Sequence, residues 1–203
     1  MSNRIGQRSD LSSSKKIEPL FLEYSLLAEF NLLQRQKLPG IYVIPAANSP
    51  SIWFGVIFLR QGMYEGSCFK FTIHIPPNYP DSDCPKINFD TRVFHPCVDQ
   101  RSGEVDVKRA FRHWRKNRNH IGEVLMYVRS IFYQIDSTNP KNEEAAELYD
   151  KNIEEFKKRV TECVQQSRSC IYDPPSSEDP HAIRFSEWDN EKHAEARKKL
   201  FNH

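Results

Sequence analysis

The chain has 203 residues, a formal net charge of +2, 38% apolar residues and 12% aromatic ones. That length suits one domain with tails, and that composition excludes wholesale disorder. The near-balanced charge excludes a polycation, so contact with nucleic acid or an anionic membrane needs a local basic patch.

Residues 1–17 are polar, serine-rich and basic and read as a disordered arm, with no apolar segment of the kind a signal peptide carries. After Pro19, the apolar residues Leu20, Tyr24, Leu27, Phe30 and Leu33 recur at threes and fours. That spacing predicts one face of a helix, which Pro39 and Gly40 stop. Four strand-like runs follow, Ile41–Ile44, Ile52–Leu59, Phe69–Ile75 and Lys86–Phe89, connected through glycines and prolines such as Gly62, Gly66, Pro76 and Pro85. No helical pattern separates them, so an antiparallel meander is predicted. Residues 90–119 have no clear period, and a stretch this long inside a domain is usually functional.

Ile121–Ile135 then reads as a helix, and Asn139-Pro140 breaks the chain. A second helical pattern runs from Asn142 to about Ile171, with an interruption near Asp150, and Pro174 and Pro175 end it. Residues 176–187 read as a surface connection, and Asp189 as the cap of a last helix ending near Leu200. The expected fold is α+β, with an N-terminal helix, a four-stranded antiparallel meander and C-terminal helices. The core domain is placed at 18–172 and an extension at 173–203. No run approaches the length of a membrane span.

The five cysteines, Cys68, Cys84, Cys97, Cys163 and Cys170, are odd in number and contain no C-x-x-C pair. Reduced thiols in a cytosolic or nuclear protein are expected, with packing as the default role of Cys163 and Cys170. His74 and His95 are read as hydrogen-bonded structural residues. No metal site, no cofactor and no acid–base carboxylate pair is expected.

Several short motifs stand in a telling order: Tyr64-Glu65-Gly66-Ser67-Cys68-Phe69, Tyr79-Pro80, Pro85-Lys86-Ile87-Asn88-Phe89, Phe94-His95-Pro96-Cys97, Trp114, Asn139-Pro140 and Ala145-Ala146-Glu147-Leu148-Tyr149. By these the chain resembles the ubiquitin-conjugating enzyme (E2) family over roughly residues 20–170. The resemblance implies the UBC fold. It also exposes two departures. Where the family reads G-x-[IV]-C and the cysteine takes ubiquitin as a thioester, this chain has Gly103-Glu104-Val105-Asp106. A carboxylate is a poor nucleophile and forms no thioester. Where the family has an asparagine that helps stabilise the oxyanion, this chain has Cys97, a weak donor; losing such a donor costs on the order of 10²–10³ in rate. Asp106, Cys97 and His95 therefore mark a degenerate site, and a pseudoenzyme is expected. Cys97 as a displaced nucleophile is the alternative, set against its reading as a small buried filler.

Further segments, Phe21–Phe30, Trp53–Phe58, Gly103–Phe111, Asp179–Ile183 and Phe185–Trp188, resemble a non-catalytic group of E2 variants. That resemblance implies an adaptor bound to a Hook-type coiled-coil protein and an FHIP-type protein, linking endosomal vesicles to dynein. It also implies contact with AKT kinase, a telomere role in some members, and a cytoplasmic location with membrane association through partners and a nuclear pool. A non-catalytic cofactor of an active E2 is the competing reading. Finally, Lys108, Arg109, Arg112, Arg115, Lys116 and Arg118 form a basic stretch that suits an anionic partner. Its alternative is a solvated loop neutralised by acidic helices around Glu143–Glu155, and direct DNA binding ranks below a protein partner.

Overall fold

The structure, a computed structural model, describes residues 10–201. Helix α1 (Asp10–Gln36) precedes strands β1 (Ile41–Pro45), β2 (Ile52–Phe58), β3 (Cys68–His74) and β4 (Lys86–Phe89). A 3-10 turn (Val107–Arg109) and helices α2 (Ile121–Ser130), α3 (Glu143–Lys151), α4 (Ile153–Ser169) and α5 (Asn190–Phe201) follow. The sheet order is β1-β2-β3-β4 with every pair antiparallel, which is the expected α+β meander.

Alternation divides the sheet into two faces. Trp53, Ile57, Phe69, Phe71, Ile73 and Ile87 point inward and are all buried. The helices close this side: Phe30 of α1 meets Trp53 edge-on at 5.7 Å, and Phe132, just after α2, stacks on Phe69 at 5.6 Å.

Helix α1 differs from expectation in two ways. It already runs at Asp10, inside the stretch read as an arm, and Pro19 lies within it. The serines and lysines before Pro19 are not helix breakers, and Pro19 forfeits one backbone bond there. The rest of that arm, residues 1–9, lies outside the described residues. The buried face also differs. Leu26 and Leu33 are core residues and Leu22 and Phe30 pack against the core, whereas Leu20, Tyr24 and Leu27 are exposed. This helix is apolar on two sides, and the sheet covers only the 22-26-30-33 side.

Helix α2 ends at Ser130, whose hydroxyl donates to Tyr127 O at 2.8 Å, although Ile131 and Phe132 remain buried in the turn beyond it. The interruption expected near Asp150 falls at Asn152, whose extended backbone (φ −147°) breaks the helix and whose side chain caps α4 by accepting from Glu155 N at 3.2 Å. Asp189 caps α5 through the amides of Glu191 and Lys192.

The connection after α4 departs most from its reading. Residues 179–185 lie against the outer face of the sheet instead of looping over the surface. Asp179 is buried, and its carboxylate accepts from the amides of Ala47 and Asn48, both at 3.0 Å, and of His181 at 2.8 Å. His181 Nδ1 donates to Pro45 O at 2.8 Å. Ala182 joins Ala46 and Phe54 in a small apolar cluster, and Phe185 meets Phe58 edge-on at 6.1 Å. Burial of the Asp179 carboxyl works against its charge, but the three amides hold it below the usual carboxylate range. Asp179→Ala is expected to release this strap: the amides of Ala47, Asn48 and His181 should exchange at least roughly tenfold faster while β2 and β3 stay protected. Hydrogen exchange read residue by residue checks it.

Candidate functional site

The segment 94–106 is built on the far end of the sheet. Val98 and Val105 form an isolated antiparallel bridge, Glu104 bridges to Asn88, and the amide of Val105 donates to Ile87 O at 2.9 Å. Gly103 makes the turn possible: its φ is +70°, and a Cβ there would lie 2.3 Å from Phe89 O. The turn delivers Val105 into the core and leaves Asp106 at its rim, at the start of the 3-10 turn.

His95 is fully buried between Tyr64 and Phe132. Its Nε2 faces Ile131 O at 2.9 Å, so that nitrogen carries the proton, and Nδ1 accepts from Cys97 N at 2.9 Å. Burial lowers its pKa to about 4. The ring is thus neutral at pH 7, with both nitrogens engaged, and has no capacity left to act as a base. Tyr64 donates to Phe94 O at 2.6 Å, and the amides of Lys141 and Asn142 donate to Pro96 O, so the loop is anchored on both sides.

Cys97 is 1% exposed. Its thiol donates weakly to Asp136 O at 3.6 Å, and burial pushes its pKa up to about 11, the Arg109 guanidinium opposing the shift. At pH 7 the thiolate is then about one part in ten thousand. Cys68, Cys84 and Cys163 are likewise buried, and Cys170, half-buried, lies on α4's end, remote in the chain from this segment.

Asp106 is fixed at three points. Its amide donates to Cys97 O at 2.9 Å, its carbonyl accepts from the Tyr127 hydroxyl at 3.0 Å, and its carboxylate accepts from Arg109 Nε at 3.3 Å. Arg109 continues as a clamp. Its Nη1 pairs with the Asp136 carboxylate at 2.7 Å, and its Nη2 donates to Thr138 O at 2.5 Å and Asn139 O at 2.8 Å. The Arg109 and Asp106 side chains are only 18% and 20% exposed. An ion pair thus covers Asp106 and ties the 136–139 loop to the 3-10 turn.

The basic stretch does not act as one patch. Arg109 is spent in the clamp, Lys108 pairs with Asp83, and Lys116 pairs with Asp81. Neutralisation comes from these aspartates and not from the acidic helices around Glu143–Glu155. Arg112, Arg115 and Arg118 have no ion-pair partner among the described residues. Trp114 is half-buried and packs on Tyr79 at 5.8 Å and Phe111 at 6.0 Å, a wall of the core margin. Sequence reasoning missed Tyr127, Asp136 and Glu29, which caps α2 by accepting from Ile121 N at 3.0 Å. Among the described residues no three His, Cys, Asp or Glu side chains are grouped to hold a metal ion, and no helix is long and apolar enough to cross a membrane.

Comparison with known proteins places this arrangement. The family described as ubiquitin-conjugating enzyme matches residues 25–164. The chain is 57% identical over 185 residues to AKT-interacting protein of Danio rerio, an alignment covering 91% of this chain and 63% of that protein. The relatives of the same name in Mus musculus and Homo sapiens are 57% and 56% identical over 182 residues, 90% of this chain and 62% of each relative. The chain thus spans less than two thirds of the length of these curated relatives.

Proposed function

We propose that this chain, which belongs to the ubiquitin-conjugating enzyme family, is a non-catalytic variant in which Asp106 stands where the thioester-forming cysteine would be. The observation that carries the reading is the clamp: the Asp106 carboxylate is engaged by Arg109, and the Cys97 thiol is buried and protonated. Transfer chemistry needs an accessible thiolate and a donor aimed at the oxyanion. Neither role has a residue suited to it here.

A fold kept without that chemistry acts through its surfaces. The adaptor reading follows: a subunit joined to a Hook-type coiled-coil protein and an FHIP-type protein in dynein-linked endosomal trafficking, cytoplasmic and brought to membranes by its partners. The name of the relatives supports contact with AKT kinase as a further partner. A telomere role, with a nuclear pool, is the second reading. Arg112, Arg115 and Arg118 favour it to the extent that they are unpaired, but three other cations of the stretch are already neutralised by aspartates. A cofactor of an active E2 is the third.

The adaptor reading is tested by reconstitution. The purified chain, mixed with the C-terminal region of a Hook protein and with FHIP, is expected to co-elute as one complex on size exclusion. Elution of the chain alone in every mixture would sink it. Titration of DNA at increasing salt separates the second reading, because direct phosphate contact demands a steep salt dependence.

A further inference from the structure

We propose that the cavity between β3, the end of α4 and residues 173–176 is a phosphoryl-anion site, and that Ser176 is a phosphorylation site whose phosphate fills it. The proposal does not depend on the pseudoenzyme reading. The cavity holds about 680 Å³ and is bordered by Lys70, Thr91, Arg92, Gln166 and Ser176.

Lys70 is the reason to expect an anion. It projects from the outer face of β3 and is only 8% exposed. Its ammonium donates to Ile171 O at 2.9 Å and Asp173 O at 3.3 Å and lies 5.4 Å from the centre of the Phe185 ring. All three partners are neutral, and among the described residues no carboxylate lies within the 4.0 Å of an ion pair. A buried cation with no carboxylate at ion-pair distance is costly, and one of its three N–H groups makes no hydrogen bond. The Thr91 hydroxyl is buried with no hydrogen-bond partner, and Arg92, exposed at the rim, has no ion-pair partner among the described residues. Two acids also border the cavity. Asp90, exposed, accepts from the Thr72 hydroxyl at 3.0 Å and feels the Lys70 charge through space without reaching ion-pair distance, and Asp173 is exposed.

Ser176 supplies the ligand. It is exposed, stands in the irregular run Pro174-Pro175-Ser176-Ser177, and makes no hydrogen bond through its hydroxyl among the described residues. A protein kinase would transfer the γ-phosphoryl group of ATP to it. The Oγ–P bond forms, the bridging P–O bond breaks, ADP leaves with that electron pair, and the hydroxyl proton passes to the kinase's base. The product adds about −1.5 to −2 charges beside Lys70 and Arg92. Bidentate pairing with Arg92 then ties the start of the strap to the segment after β4, upstream of the Asp179 anchor.

The test uses the full chain with phosphoserine installed at position 176. The ³¹P titration is expected to give a second pKa below the ordinary value of about 6. Amides of 179–182 should exchange about tenfold more slowly than in the unmodified chain. Both effects should vanish in Arg92→Gln, a rim substitution that leaves the core intact; Lys70→Met serves as the second variant. A phosphate that titrates as in an unfolded peptide, or effects that persist in Arg92→Gln, would overturn the proposal. Inorganic phosphate added to the unmodified chain separates the sources: saturable shifts at Lys70 and Arg92 without any effect of phosphoserine 176 would overturn the assignment to Ser176.

Discussion

Between pH 7 and pH 4 the protein is expected to lose about 3 kcal/mol of unfolding free energy through His95 alone. Burial puts its folded pKa near 4, against 6.5 when unfolded. As pH falls below 6.5 the unfolded chain binds a proton that the native ring refuses, because Nε2 already donates to Ile131 O and Nδ1 accepts from Cys97 N. The stability is therefore present above pH 6.5, is lost progressively down to pH 4, and levels off below. A gap of roughly two and a half pH units, at about 1.36 kcal/mol each, sets the magnitude. His95→Gln, which cannot titrate, isolates the effect. The difference between wild type and variant in urea unfolding should shrink by about 3 kcal/mol across this window. A difference independent of pH would mean that the ring is protonated, or accessible, in the native state.

Arg109→Met is expected to cost about 2–3 kcal/mol, the low side of what breaking a buried ion pair costs, because a fifth of each side chain still sees solvent. The substitution keeps most of the side-chain length. It removes the cation between the Asp106 and Asp136 carboxylates and strips Thr138 and Asn139 of a donor to their carbonyls. The urea midpoint should fall with an unchanged slope. Asp106→Asn should cost less, since the amide oxygen can still accept from Arg109. The two substitutions together should cost less than their sum, because they share one contact. Additive costs would show that Asp106 and Arg109 do not interact in solution.

The meander was legible because its residues obey a period of two and its connections hold the glycines and prolines that turns require. Each of the four strands begins or ends within a residue or so of its reading. The face of α1 was not legible, because Leu20, Tyr24 and Leu27 are spaced as well as Leu22, Leu26 and Leu33, and only the sheet decides which set is covered. The strap at 179–185 reads as a loop for the same kind of reason. Its apolar content is low, and two of the three amides that Asp179 binds lie 131 and 132 residues away in the chain. The clamp was half visible: Asp106 and Arg109 stand three apart, but the carbonyls and carboxylate that complete it lie 27 to 30 residues beyond Arg109. Charge alone marked Arg109 as a surface cation, and only the fold shows it pinned.

The proposal of a fold kept without transfer chemistry is tested in a charging assay. The chain is incubated with ubiquitin, its activating enzyme and ATP, and resolved with and without reducing agent. No thiol-sensitive ubiquitin adduct is expected, because Asp106 is held by Arg109 and Cys97 is buried and protonated. A thiol-sensitive adduct that disappears in Cys97→Ser would contradict it.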